Sequence, residues 1–236
     1  MKVLDLSYHP LDVRSGKWVD LSRFGNHGTP HGGARPVMIT PGVMGYWFDG
    51  SSGYVDCGSG ESLNITKDIT MSAWTYIESF PAEGYIIGKA DTDSGEGYGA
   101  FIFSDSPNRF YYKYGGGFKY KASSNVIAKK WIYLVVSYNS ITGRVGFFID
   151  SIEELNTKAG DPSYISKNLT IGARESDELH FHGFIVQPII EDRAWSEAEV
   201  RENMYRSPIY RMLRGLPHSM IYTKVPWKQQ GGIYVP

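Results

Sequence analysis

Short segments in which apolar and polar side chains alternate recur along this chain, and turn residues separate them about every ten positions. From Met71 onward, Met71 and Ala73 point to one face, whereas Trp74 and Tyr76 point to the other. Alternation with a period of two is typical of a β-strand, because successive side chains leave opposite faces. Many such segments with frequent turns predict an all-β chain, a two-sheet antiparallel β-sandwich.

Two hairpins and one central strand are predicted within this pattern. The segment that begins at Trp131 is apolar on both faces, which indicates a central strand. The next strand, residues 145–149, follows a loop that contains Gly143, so the two segments are expected to form a hairpin. Three glycines join residues 110–114 to residues 118–121 in a second hairpin, here called the aromatic hairpin.

One helix is predicted after the last strand. Ser196 and Glu199 have the spacing of a capping box, and Trp195 and Val200 have the spacing of a hydrophobic staple. The helix should end near Tyr205, before a Ser-Pro pair.

The C-terminal segment differs from the rest of the chain. Residues 206–236 contain five Arg and Lys, four Pro, one Trp and three Tyr, and they contain no Asp or Glu. The domain prediction is therefore a sandwich over residues 1–206 and an extended arm over residues 207–236. The arm would pack on the sandwich, or it would dock to a second subunit or another protein.

Composition excludes several classes of protein. The chain has 236 residues and a net charge of −1, which gives no general attraction to nucleic acid. It has no apolar stretch of about 20 residues, the length that spans a bilayer. Its first residues lack the apolar region of a signal peptide, so the protein is expected in the cytoplasm or in an extracellular particle such as a virion. The one cysteine, Cys57, lies in a strand-like segment and reads as a small buried residue.

The order of several motifs resembles one family over roughly residues 15–206. These motifs are Asp20–Gly28, Tyr46–Gly50, Tyr54–Asp56, Ile69–Trp74, Trp131–Ser137, Phe147–Asp150, Leu169–Gly172, Phe181–Ile185 and Ile190–Val200. Together they resemble a laminin-G-like domain of the concanavalin A-like lectin superfamily. The resemblance implies a jelly-roll sandwich that binds glycans or proteins, in a family whose members mostly do no chemistry.

Aromatic side chains are the strongest candidates for ligand binding. One face of the aromatic hairpin is entirely aromatic, and the strands at Trp74 and Trp131 also carry rings. Such rings offer flat apolar surfaces to sugar C–H groups, but a strand also needs one buried face, so the same rings could line the core. The candidate ligand-binding residues are Tyr112, Tyr114, Phe118, Tyr120, Trp74 and Tyr76.

A structural calcium ion is implied by the resemblance, because laminin-G-like domains commonly hold one at a rim of the sandwich. By position in the resemblance, the candidate ligands are Asp20, Asn26 and Asp49. The alternative is that these residues only stabilise turns, as Asp and Asn beside glycine usually do. His180 and His182 would share a face at strand spacing, yet no third ligand lies near them in sequence, so an exposed polar pair is the better interpretation.

Catalytic motifs are missing from the sequence. The glucan hydrolases of the same superfamily use a Glu-x-Asp-x-x-Glu segment, and here Glu175 and Asp177 are followed by His180 in the third position. The prediction is a non-enzymatic domain that binds a glycan or a glycan-bearing surface. The alternative is a structural or assembly protein, such as a virion or phage surface component, that attaches through residues 207–236.

Overall fold

The computed structural model describes residues 1–9, 13–14, 16–91, 95–104, 108–174, 178–215, 228–230 and 233–235. Within these residues the strands form two large antiparallel sheets that pack face to face, which confirms the predicted two-sheet sandwich.

The first sheet has eight strands. They are β1 (Lys2–Asp5), β5 (Arg35–Thr40), β6 (Val43–Asp49), β8 (Ile69–Ile77), β13 (Trp131–Asn139), β14 (Arg144–Ile149), β15 (Ile152–Lys158) and β17 (His182–Glu191). Their spatial order is β15-β14-β13-β8-β17-β6-β5, and β1 also pairs with β17. The middle of this sheet therefore brings together strands that are far apart in the sequence.

The second sheet has seven strands. They are β4 (Thr29–His31), β7 (Tyr54–Asp56), β9 (Glu83–Ala90), β10 (Gly97–Phe103), β11 (Arg109–Tyr114), β12 (Phe118–Asn125) and β16 (Thr170–Ile171). Their order is β12-β11-β10-β9-β16-β7-β4. Two short pairs complete the strands: β2 (Val13–Arg14) with β3 (Lys17–Trp18), and β18 (Lys228–Gln230) with β19 (Ile233–Val235).

Both predicted hairpins are present. Asn139 pairs with Arg144 across the β13–β14 turn, and Tyr114 pairs with Phe118 across the glycine turn between β11 and β12. In that turn Gly116 has φ = 74°, a conformation that favours glycine. The prediction that the strand from Trp131 is central is also confirmed, since β13 lies between β14 and β8.

Alternation along the strands divides the apolar residues into two clusters. Ile132, Leu134 and Val136 of β13 point between the sheets and belong to the main core. Tyr133 and Val135 point outward from the eight-stranded sheet into a second cluster. A central strand that is apolar on both faces needs a cover on its outer face, and helices supply it here.

The predicted helix is present as α1 (Glu197–Arg206), and Ser196 caps it. The Ser196 hydroxyl accepts from the Glu199 backbone N–H at 3.4 Å, and the Glu199 carboxylate accepts from the Ser196 backbone N–H at 2.9 Å. Trp195 and Val200 are both buried in the outer cluster. The capping box and the staple are thus confirmed.

A second helix corrects the prediction of a single one. It is α2 (Pro208–Leu213), with Ser207 as its N-cap and Pro208 in its first turn. The Ser-Pro pair that ends α1 also begins α2, because proline suits the first helical turn as well as the end of a preceding helix. Ile209 is buried in the outer cluster, so the first residues of the predicted arm lie on the sandwich.

Most of the predicted arm lies outside the described residues, which after Gly215 comprise only β18 and β19. The proposed role of residues 207–236 in attachment or self-association therefore stays a prediction. Among the described residues, no helix is both long enough and apolar enough to cross a bilayer.

Candidate functional site

The aromatic face of the hairpin points into the sandwich. Tyr112 is 0% exposed, Tyr114 is buried, and Tyr120 is partly buried against the main core. The Tyr112 ring contacts the rings of Tyr114 and Tyr138 at centroid distances of 5.6 and 6.2 Å. The side chain of Phe118 is outside the described part of the structure. The surface interpretation of this stripe is therefore corrected, and the core-lining alternative accounts for its burial.

Trp74 also has to be corrected as a surface residue. It points outward from β8, but only 2% of it is exposed because the outer cluster beneath α1 and α2 includes it. The same cover buries Tyr133 of β13 and Val186 of β17. These three residues lie in the part of the outer face that the helices protect.

One pleat further along the same strands, the rings are only partly covered. Tyr76 is two residues after Trp74, Trp131 is two residues before Tyr133, and Phe184 is two residues before Val186. Each of these side chains has intermediate exposure, as has Trp47 of β6. Trp47, Phe184, Tyr76 and Trp131 are called the outer aromatic row below.

The strand register places the outer aromatic row in a line. Trp47 is the cross-strand partner of Phe184, Phe184 is the partner of Tyr76, and Tyr76 is the partner of Trp131. The four rings thus occupy four adjacent strands, a span of about 14 Å at roughly 4.8 Å per strand. The Phe184–Tyr76 and Tyr76–Trp131 centroid distances are 5.9 and 5.6 Å, so the rings of Phe184, Tyr76 and Trp131 are in contact.

Polar groups lie beside one end of the row. The Arg35 guanidinium lies over the Trp47 ring, 4.3 Å from its centroid. His182 meets the edge of Trp47 at a centroid distance of 6.2 Å, and its Nδ1 lies 2.7 Å from the Ser79 hydroxyl. Flat rings beside hydrogen-bonding groups are the components of a site for a ligand that is apolar on its faces and polar at its edges.

The outer face of the seven-stranded sheet is covered differently. Tyr85, Phe101 and Tyr111 stack with centroid distances of 4.7 and 5.2 Å, but they are buried. Cationic side chains lie over them: Lys119 over Phe101, Lys121 over Tyr111 and Arg174 over Tyr85. Burial, together with the charges of Arg174 and Lys119, lowers the pKa of the adjacent Lys113 to about 8. Phe103, at the end of this stack, has intermediate exposure, and Lys119 lies 5.9 Å from the centroid of its ring.

A separate cavity of about 590 Å³ lies between β13, β14 and the start of α1, where Ser137, Phe148 and Trp195 contribute to its wall. Two of its carboxylates have cationic partners: Glu199 pairs with Arg193, and Glu197 pairs with Arg201. Ser137 is six residues from Trp131 along β13, so the cavity is about 20 Å from the outer aromatic row.

Asp20 and Asn26, the first two predicted calcium ligands, organise the loop that follows β3. Asp20 Oδ1 accepts from the backbone N–H groups of Asp5 and Ser22, both at 2.9 Å, and Oδ2 accepts from the Asn26 N–H at 2.8 Å. The Asn26 amide donates to the Val3 carbonyl and to the Ser62 hydroxyl. The three backbone N–H donors satisfy the Asp20 carboxylate without a cation, which agrees with the alternative that these residues stabilise a turn.

Asp49, the third predicted ligand, contacts a different loop. Its Oδ1 accepts from the N–H groups of Ser51, Ser52 and Gly53, and its Oδ2 accepts from the Ser52 hydroxyl at 2.7 Å. Burial by itself would raise the pKa of Asp49, but these hydrogen bonds outweigh it and lower that pKa well below its usual value.

The arrangement does not fit a calcium site built from the three predicted residues, because the contacts of Asp20 and Asn26 do not include Asp49. Among the described residues, no group of three or more His, Cys, Asp or Glu side chains is placed to hold a metal ion. Calcium binding stays a prediction.

The two histidines of the predicted exposed pair lie in different environments. His180 is buried with its Nδ1 3.1 Å from the Gly53 carbonyl, whereas His182 is on the outer face of the eight-stranded sheet.

The acidic segment compared with the hydrolase motif lies partly outside the described residues, which omit Glu175 and Asp177. The adjacent Glu178 is ion-paired with Arg174 at 2.7 Å.

Cys57 is buried as predicted, and burial raises the pKa of its thiol well above the usual value. A thiol in that state is a poor nucleophile.

The family model described as the concanavalin A-like lectin/glucanases superfamily matches residues 49–201, more than half of the chain. The chain belongs to this superfamily. That result confirms the family indicated by the order of motifs. The matched segment contains three of the four strands that carry the outer aromatic row, whereas Trp47 lies just before it.

Solved structures share the fold of this superfamily member at low sequence identity. The binding domain of Paraclostridial Mosquitocidal Protein 1 matches with a TM-score of 0.67 and 15% identity, over 87% of this chain and 52% of that chain. The binding domain of Botulinum neurotoxin DC, in complex with SialylT, matches with a TM-score of 0.62 and 14% identity, over 86% and 50%. The present chain thus spans about half the length of each toxin binding domain.

A third structure matches over nearly its whole length. It is domain 4 of AbnA, an extracellular arabinanase from Geobacillus stearothermophilus, in complex with arabinotriose, with a TM-score of 0.65 and 17% identity. The match covers 85% of this chain and 98% of that domain. At these identities the likeness establishes the fold and leaves the ligand of this superfamily member to be argued from its own residues. No curated protein sequence matches the chain.

Proposed function

We propose that this protein is a non-catalytic carbohydrate-binding domain whose ligand lies along the outer aromatic row. The observation that carries the proposal is the register of Trp47, Phe184, Tyr76 and Trp131 on four adjacent strands, each ring with intermediate exposure. Isolated surface rings are ordinary, but a contiguous patch of partly exposed rings is a surface of the kind that marks an interaction site.

The chemistry of the row suits a saccharide. Sugar rings have C–H faces that pack on aromatic planes, while their hydroxyl groups need hydrogen-bond partners at the edges. The row spans about 14 Å, at roughly 4.8 Å per strand, so an oligosaccharide could contact several rings at once. Because β-sheet backbone and the helix-covered cluster hold the rings in place, little conformational entropy should be lost on binding.

A binding role without hydrolysis is supported by the state of the nearby carboxylate. Most glycosidases use two carboxyl groups, a protonated one that donates a proton and an ionised one that is free to act as base or nucleophile. Asp49 is two residues from Trp47 on β6, and its lowered pKa keeps it ionised at neutral pH. Its oxygens also already accept four hydrogen bonds from the turn.

Two solved structures with this fold guide the choice of ligands, because one was determined with arabinotriose and the other with SialylT. The panel should therefore contain arabino-oligosaccharides, sialylated oligosaccharides and neutral hexose oligomers. Isothermal titration calorimetry on the full chain would give the affinity for each ligand.

The decisive variants are Trp131→Ala and Phe184→Ala, with Tyr164→Ala as the matched control. Tyr164 is 56% exposed and is not part of the row, so its removal tests the general loss of a surface ring. We expect each row variant to weaken binding about tenfold, which corresponds to roughly 1.4 kcal/mol. The control should bind like the wild type. Unchanged affinity in both row variants, with circular dichroism spectra like the wild type, would refute the proposed site.

A further inference from the structure

Arg35 extends the outer aromatic row by one strand. It is the cross-strand partner of Trp47 at the edge of the eight-stranded sheet, so five adjacent strands carry Arg35, Trp47, Phe184, Tyr76 and Trp131 in one line. Its side chain is exposed, and its guanidinium lies 4.3 Å from the centroid of the Trp47 ring.

The Arg35 guanidinium lies over the Trp47 ring at a distance typical of an arginine stacked on an aromatic ring. A stacked guanidinium keeps its five N–H donors in its own plane, where they can point outward from the edges. In the described part of the chain, Arg35 forms no ion pair with a carboxylate. A cation held on a ring without an acidic partner is prepared for a bidentate contact with a carboxylate, sulfate or phosphate group.

The other charged and titratable groups near this end of the row do not occupy Arg35. Asp49 is two residues from Trp47 on the same strand, and its carboxylate accepts hydrogen bonds from the turn at residues 51–53. His182 contacts Ser79. Glu78 follows β8 and has intermediate exposure.

We infer that the outer aromatic row takes an acidic saccharide, with Arg35 binding its anionic group while the rings hold the neighbouring sugars. The inference rests on the proposed carbohydrate-binding function and adds the chemical class of the ligand. The anion replaces water around a guanidinium that is already oriented, so the contact costs little side-chain entropy.

Matched pairs of probes that differ in charge test this inference. One pair is tetragalacturonate and its fully methyl-esterified form, and the other is sialyllactose and its sialic acid methyl ester. In titration calorimetry on the full chain, we expect the acidic member of at least one pair to bind about tenfold more tightly. Because charges at an exposed site are screened by salt, that preference should shrink in 0.5 M NaCl, where the Debye length is only about 4 Å.

Arg35→Gln should remove the preference for the acidic member of the pair. Arg35→Lys keeps the charge but loses the planar fork, so it should retain only part of the preference. The matched control is Arg23→Gln, because Arg23 is an exposed arginine over the ring of Phe24, 5.0 Å from its centroid. The control should keep the wild-type preference.

The outcomes separate the two proposals. Equal binding of acidic and neutral members, or a preference that survives in Arg35→Gln, would overturn the role of Arg35 and leave the carbohydrate-binding function in place. If no member of either pair binds at millimolar concentration, and the wider saccharide panel also fails, both proposals are overturned.

Discussion

Tyr112 was a candidate ligand-binding residue, and the structure instead makes it a core residue with an unsatisfied polar group. Its hydroxyl is buried without a hydrogen-bond partner among the described residues. Burial raises the pKa of this phenol well above its usual value. Tyr112→Phe should therefore raise the free energy of unfolding by about 1 kcal/mol, because a buried polar group without a partner costs roughly that amount. Urea denaturation at pH 7 would measure the change.

Tyr112→Ala is the matched comparison at the same position. It removes the ring and leaves a cavity between the sheets, so we expect it to lower the free energy of unfolding by about 3–5 kcal/mol. A Tyr112→Phe variant that is clearly less stable than the wild type would show that the hydroxyl has a partner.

At the scale of elements, α1 and α2 decide how much of the eight-stranded sheet is open. They cover Trp74, Tyr133 and Val186, and they leave the next pleat, with the outer aromatic row, partly exposed. The start of α1 depends on the capping box between Ser196 and Glu199. Ser196→Ala should reduce stability by about 1 kcal/mol, because the backbone N–H of Glu199 loses its acceptor.

The control for this prediction is Ser196→Thr, which keeps a hydroxyl at the N-cap and should retain most of the stability. Both variants can be measured by urea denaturation, with the near-ultraviolet circular dichroism of the outer cluster as a second readout. Equal losses in the two variants would mean that the cap hydroxyl is not the source of the effect.

Among the described residues eight tyrosines are buried, and this determines the response of the protein to alkali. Burial raises the pKa of Tyr46 to about 12 and raises those of Tyr98, Tyr133 and Tyr138 further. The phenol pKa values are thus higher in the folded protein than the value of about 10 in an unfolded chain. The stability that the protonated phenols contribute is complete below about pH 10 and is lost as the pH rises above it.

We therefore expect the free energy of unfolding to fall steeply above about pH 10. The buried tyrosines should ionise together with unfolding, in one cooperative step that absorbance at 295 nm would follow alongside far-ultraviolet circular dichroism. Gradual ionisation of all 17 tyrosines near pH 10, with the circular dichroism unchanged, would contradict the burial described here.

Local pattern was sufficient for much of the fold. Alternation around Trp74 and Trp131, the Gly-rich turns and the Ser196 capping box predicted several of the strands, both hairpins and α1. The order of motifs also indicated the correct superfamily. These features are readable because each depends on residues within a few positions of one another. The second helix was missed because the Ser207-Pro208 signal was read only as a stop.

The candidate site was only partly predictable. Tyr76 was among the candidate residues, and Trp131 posed the same question of which face is open. Trp47, Phe184 and Arg35 were missed, because their alignment depends on the spatial order β5-β6-β17-β8-β13, which joins segments up to about 140 residues apart.

The sequence by itself determined which side chains share a face of each strand, since that follows from the two-residue period of extended backbone. Only the tertiary structure decided which faces meet the opposite sheet, which meet the helices and which meet solvent. Packing between distant segments makes that choice. The aromatic face of the hairpin packs in the core, and its lysine-bearing face lies on the outside of the seven-stranded sheet. The outer aromatic row lies where the cover by α1 and α2 ends.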